Sequence, residues 1–193
     1  MIADKDRSGW FGASDTSYIM GNWTTKSFGN WWLTKDGISR NDYCNIAMLA
    51  GTHKEHQILE YIKVAEMDKQ ILVPKLSLRV NLDGNDERYI YEVKTYKQNN
   101  GFKIPKKYWQ QVQVQMYVSR LQGKIVAYGL ADDDYHNFML PIDENRLCEY
   151  DIEYDSTFIE REYLPRLKYF KHCLDHHKLP RKEEFNVYSK ENL

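Results

Sequence analysis

Three residues carry the clearest chemical signal in this chain: Asp83, in Asn81-Leu82-Asp83-Gly84, and the pair Glu92 and Lys94, in Glu92-Val93-Lys94. Residues i and i+2 of a strand project to the same face, so Glu92 and Lys94 emerge together. Asp83 opens a turn signal, Asp83-Gly84-Asn85-Asp86, and reaches the same patch from the neighbouring strand. Two carboxylates beside a lysine suit phosphodiester hydrolysis. The carboxylates would hold Mg²⁺ or Mn²⁺, which prefer oxygen ligands. The lysine would orient or deprotonate a water, or neutralise charge developing on the phosphorane. The spacing alone is weak, because alternating charges are common on solvated strands. Ile90 on the same predicted face argues against plain solvent exposure there.

The flanking segments offer further candidates. Gly51-Thr52-His53-Lys54-Glu55 lies in a helical stretch, and either Glu55 or Glu60 could add a carboxylate. His53 and His56 stand at i and i+3 without a third soft ligand, which argues against zinc. Downstream, Gln110, Gln111, Gln113 and Gln115 follow Tyr108 on a predicted helix; Gln111, three residues after Tyr108, is the favoured site residue.

These residues need a scaffold, and the hydropathy pattern supplies one. Gly12 to Met20 reads as a short helix with Ser14 or Asp15 as N-cap, and a second helix carries Trp31, Trp32 and Leu33, with Gly37 ending it. Asp42 to Glu66 has helical periodicity, which Gly51 could break. Ile71 to Leu82 reads as one strand and Arg88 to Tyr96 as its hairpin partner. Tyr108 to Leu121 is a predicted helix ended by Gly123. Lys124 to Leu130 and Tyr135 to Leu140 are predicted strands. Ser156 to His177 is a long amphipathic helix interrupted or kinked at Pro165, and residues 180–193 form a partly disordered tail. The expectation is a single α/β (mixed α+β) domain over residues 1–193 with a central mixed sheet flanked by helices.

The whole chain adds limits. Its 193 residues suffice for one real core. No stretch approaches a membrane span, and the polar opening has no apolar leader core. Cys44, Cys148 and Cys173 form no CxxC pair, which points to reduced thiols in the cytoplasm and away from zinc or an iron–sulfur cluster. The net charge of −1 argues mildly against a nucleic-acid binder, although it can hide an uneven distribution. Aromatic residues make up 14% of the chain, so either the core is rich in rings or some of them stack on bases.

Taken together, these motifs resemble the exonuclease of phage lambda and its relatives, within the PD-(D/E)XK nuclease superfamily, over roughly Arg7 to Tyr117. Arg7-Ser-Gly-Trp-Phe-Gly-Ala-Ser14 is similar to the family segment whose arginine and serine contact a DNA 5′-phosphate. Gly51 to Glu55 resembles its Gly-x-x-x-Glu helix, Asp83-Gly84 its metal-binding Asp-Gly, and Glu92-Val93-Lys94 its Glu-x-Lys. Tyr108-Trp-Gln-Gln111-Val-Gln113 resembles the helix whose tyrosine and glutamine face the active site. Asn81 stands where the family often has a serine.

The resemblance implies a 5′-to-3′ exonuclease acting on one strand of linear double-stranded DNA in phage recombination, in the cytoplasm of a host cell. Glu55, Asp83, Glu92 and the Val93 carbonyl would hold Mg²⁺ or Mn²⁺. Lys94 and Gln111 would complete the catalytic set, and Arg7, Ser14, Asn81, Tyr108 and Gln113 would contact DNA. The implied partners are double-stranded DNA ends, a single-strand annealing protein and other copies of the chain in a ring trimer. The same core also serves endonucleases, Cas4-like nucleases without an iron–sulfur cluster, and non-catalytic DNA-binding proteins.

Overall fold

The structure is a computed structural model, described here for residues 6–40 and 45–192. Cys44 and the predicted start of the third helix at Asp42 lie outside the described residues. Five strands form one sheet in chain order: β1 (Glu66–Val73), β2 (Leu78–Asn85), β3 (Tyr89–Lys97), β4 (Gln122–Leu130) and β5 (Leu147–Ile152). The β1–β2, β2–β3 and β4–β5 pairs are antiparallel, and β3–β4 is parallel. The parallel step needs a crossover, and α4 (Lys106–Ser119) provides it. The other helices are α1 (Thr16–Ile19), α2 (Lys26–Lys35), α3 (Ile46–Tyr61), α5 (Leu164–Asp175) and α6 (Lys182–Asn192). The mixed sheet flanked by helices is the expected fold class.

Helices cover both sheet faces. On one side α3 packs Ala50, Ile58 and Leu59 against Val93, Val126 and Tyr128. Gly51 does not break α3: a Cβ there would come within 3.0 Å of the Thr95 hydroxyl, so the glycine lets the helix sit close to β3. On the other side, Val112, Val114 and Met116 of α4 join Ile90 and Ile125 in the larger core. Gly123 does not end α4, which stops at Arg120 in the left-handed conformation. Gly123 belongs to β4, where a Cβ would press on Val112 and Met116.

The larger core takes up most of the unusual aromatic content. Phe11, Trp23, Phe28, Trp31, Trp32 and Phe170 are buried in it with many tilted and edge-on ring contacts, arrangements that suit the ring quadrupoles.

Several boundaries depart from the sequence reading. Ile71 to Leu82 is two strands, because Pro74–Leu76 forms a 3₁₀ turn and Ser77 adopts a left-handed φ of 47°. Asp83, Gly84 and Asn85 are strand residues; the turn lies at Asp86, whose carboxylate accepts from the Arg88 and Tyr89 amides at 2.7 and 2.6 Å. Of the two expected caps Asp15 holds the N-cap position of α1; Gly12 caps the 3₁₀ turn before it, and Asp15 Oδ2 accepts from the Gly12 amide at 2.7 Å. Tyr135 to Leu140 is not a strand, and β5 is a strand the sequence reading lacks. A π-helical turn, Phe158–Tyr163, leads into α5 immediately before Pro165. The expected disordered tail is instead α6, with Phe185 set 5.7 Å from the Trp23 ring and Tyr188 5.4 Å from the Tyr169 ring.

Candidate active site

The ladder between β2 and β3 is short, with registered pairs only at Gly84↔Tyr91 and Asn85↔Ile90. Immediately beyond it come Asp83 and Glu92, and there side chains replace backbone pairing. Asp83 Oδ2 accepts from the Val93 amide at 2.9 Å. Glu92, only 1% exposed, receives Lys94 Nζ and Gln111 Nε2 on Oε1, the latter at 2.6 Å, and Gln115 Nε2 on Oε2. Gln111 and Gln115 share a face of α4 because they are four residues apart.

Burial here is charge-imbalanced. Desolvation, then the nearby charge of Glu92, pushes the Asp83 carboxyl well above its usual range. The same two causes raise Glu55, on α3, to about 7. Burial alone would lower Lys94; the Glu92 and Asp83 carboxylates outweigh it and hold the amine above its ordinary value. Lys94 therefore stays cationic in this setting. It lies 5.0 Å from the centre of the Tyr108 ring, which also receives Lys107 at 5.0 Å, both cation–π contacts. Glu55, Val93, Lys94, Thr95 and Tyr108 line one groove of about 500 Å³.

The structure thus brings together Glu55, Asp83, Glu92, Val93, Lys94, Tyr108 and Gln111. Asn81 stands at the margin, its side chain accepting from Gln70 at 3.1 Å and its carbonyl accepting from Gln115 at 3.3 Å. Arg7 and Ser14 are exposed on the segment beside the start of β2, where Phe11 bridges Leu78. Glu60, the competing carboxylate, is exposed. Gln113 does not face the groove. It is fully buried, donating to the Glu153 carbonyl at 2.7 Å and accepting from the Asp155 amide at 2.8 Å, so it ties α4 to the segment after β5 rather than reaching DNA. His53 stacks on Phe138, and His56 bonds Asp68 at 3.0 Å. Sequence reasoning missed the role of Gln115; its spacing from Gln111 was the available signal.

Glu92 pairs with Lys94, and burial together with the Glu92 charge pushes the other two carboxyls, Asp83 and Glu55, above their usual range. That donor set fits a hard divalent cation, since a carboxylate that accepts hydrogen bonds keeps spare lone pairs. Among the described residues, no group of three or more His, Cys, Asp and Glu side chains is already gathered around a common point.

The groove sits on β3 and α3, in a fold whose mixed five-stranded sheet is covered by helices on both faces. The same fold occurs in the alkaline exonuclease LHK-Exo from Laribacter hongkongensis, with a TM-score of 0.66 and 20% identity over 96% of this chain and 94% of that one. It also occurs in a phage-related exonuclease from Haemophilus somnus 129PT, with a TM-score of 0.59 and 13% identity over 87% and 96% of the two chains. No family model and no curated protein matches the sequence. At these identities the likeness is one of fold. Among the described residues no helix is long and apolar enough to cross a membrane.

Proposed function

We propose that the chain is a metal-dependent deoxyribonuclease that degrades one strand of linear duplex DNA from its 5′ end. The observation that carries this reading is the mutual interaction of Glu55, Asp83, Glu92 and Lys94 beside a groove that Glu55, Val93 and Lys94 line, within a fold shared with two exonucleases. Asp83, Glu92, Glu55 and the Val93 carbonyl would hold Mg²⁺ or Mn²⁺. The chemistry such an ion supplies is polarisation of the phosphate and a lowered pKa for its water. Lys94, kept protonated, orients the attacking water and balances charge on the phosphorane. Gln111 fixes one Glu92 oxygen, and Tyr108 confines the lysine. Arg7 and Ser14 are the candidates for the terminal phosphate, by charge-assisted hydrogen bonds. Digestion of this kind exposes a single strand for an annealing protein, which fits DNA recombination in a host cytoplasm, and a ring of copies would keep the enzyme on its track.

End-labelled linear duplexes, with and without a 5′-phosphate, test this in Mg²⁺. The 5′ label is expected to leave first, and Lys94→Ala should lose about 10²–10³ in rate or more. Equal digestion of closed circular DNA would remove the exonuclease assignment, and unchanged activity in a folded Lys94→Ala would remove the proposed site.

A further inference from the structure

We propose that Gln115 is a positioning residue that sets the orientation of the Glu92 carboxylate, an inference that rests on the nuclease reading above. Where the β2–β3 ladder stops, one amide spans the gap: Gln115 Nε2 reaches the Asn81 carbonyl on β2 at 3.3 Å and Glu92 Oε2 on β3. The two carboxylate-bearing strands are therefore joined from behind by the same side chain. Lys94 and Gln111 both act on Oε1, so among the described residues Gln115 is the one side-chain donor to Oε2. Without it, rotation of the carboxylate is restrained at a single oxygen.

The burial of Gln115 points the same way. It is 1% exposed, its neighbours Val114 and Met116 are core residues, and its Oε1 has no hydrogen-bond partner among the described residues. A buried amide with an orphaned acceptor costs stability, and an apolar side chain of similar volume would avoid that cost. The compensating contact is the one to Glu92. Gln111 differs: it is half-buried rather than enclosed in the core. Gln115 sits behind Glu92 and acts through it. Outer partners of metal-ligating groups typically change metal affinity or activity 10- to 100-fold when removed.

The test compares wild type with Gln115→Met, which keeps volume and removes the donor. Calorimetric titration with Mn²⁺ in the absence of DNA should show binding weakened about tenfold or more. At saturating Mn²⁺, kcat should fall by about tenfold while KM for linear duplex DNA stays within about twofold. A purely structural role would lower the melting temperature and leave the Mn²⁺ affinity and the kcat-against-KM split unmoved. That outcome, in a cooperatively folded variant, overturns the proposal. Should Gln115→Met fail to fold, Gln115→Asn, whose amide is one methylene short of Glu92, replaces it in the same measurements. A wild type that binds Mn²⁺ but cleaves no DNA refutes the nuclease reading and leaves the titration to decide Gln115. A wild type that binds no Mn²⁺ overturns both.

Discussion

Lys54 and Glu55 are neighbours on α3, yet they enter two acidic clusters of opposite balance. Lys54, fully buried, pairs with the buried Asp134 at 3.2 Å and also donates to the Leu140 carbonyl. Arg146 reaches the same carboxylate at 2.6 Å, and the Ala131 amide donates to it at 2.9 Å. Burial alone would raise Asp134, but these donors and cations outweigh it and hold the carboxyl below its usual range. One carboxylate has two cations. On the groove side, Glu92 takes Lys94 as its ion-pair partner, while burial and the Glu92 charge outweigh His56 and Lys94 at Glu55, and Lys94 at Asp83, so two of the three carboxyls are driven upward. The first cluster anchors the 131–146 segment on α3. In the second, burial and like charge outweigh the cations present, beside a groove that Glu55 and Lys94 line. Residue types do not separate structural ion pairs from a cation-seeking site; the local charge balance does.

The sharpest way to break this comparison is to neutralise one carboxyl in each cluster. Asp134→Asn leaves the buried Lys54 without its counter-charge and Arg146 with Asp143 alone, and should cost about 3–5 kcal/mol. Asp83→Asn removes like-charge repulsion and should stabilise the metal-free protein by about 1 kcal/mol while abolishing activity. Urea unfolding of both variants in EDTA checks the opposite signs; two losses of equal size would erase the distinction.

Next in size is the response to metal. Mn²⁺ at a hundred times its dissociation constant should stabilise wild type by about 2.7 kcal/mol and Glu92→Gln by far less, as read from thermal melts with and without EDTA.

A smaller effect concerns pH. Glu55 moves from an ordinary 4.5 to about 7 on folding, so between those values the folded state binds more protons than the unfolded chain. Metal-free stability must then fall as pH rises through this window, by on the order of 1–2 kcal/mol after solvent screening. Asp134 works the other way: its contribution is present above its unfolded value of 3.8 and is lost as pH falls through its lower folded one. Glu55→Gln should flatten the decline between pH 4.5 and 7, and an unaltered profile in urea titrations would show that Glu55 is not its source.

Sequence reading located the groove better than its surroundings, for physical reasons. Alternation along Tyr89 to Lys97 is a local property, and so is the four-residue spacing of the α4 glutamines, so both were legible. The break at Pro74 and Ser77 was hidden by an apolar pattern that runs through it. Tyr135 to Leu140 looked like a strand because it is apolar, but Phe138 is spent on the His53 ring and the Leu140 carbonyl on Lys54. β5, Leu147-Cys-Glu-Tyr-Asp-Ile152, carries exposed charges and becomes a strand through pairing with β4, a tertiary effect no local pattern announces. Nor could the sequence say that Gln113 is occupied by residues 153 and 155.

The aromatic core has a consequence in time rather than in space. β2, β3 and α4, which carry Asp83, Glu92, Lys94 and Gln111, are consecutive in the chain and can come together over short loops. Trp23, by contrast, meets Tyr169, Phe170 and Phe185, contacts that close a loop around nearly all the described chain. Loop entropy and contact order place such closures late. On the ribosome, the groove's own scaffold has emerged and paired well before the rings that seal the molecule are available, so a chain halted before α6 would carry the acidic groove on an unsealed aromatic core.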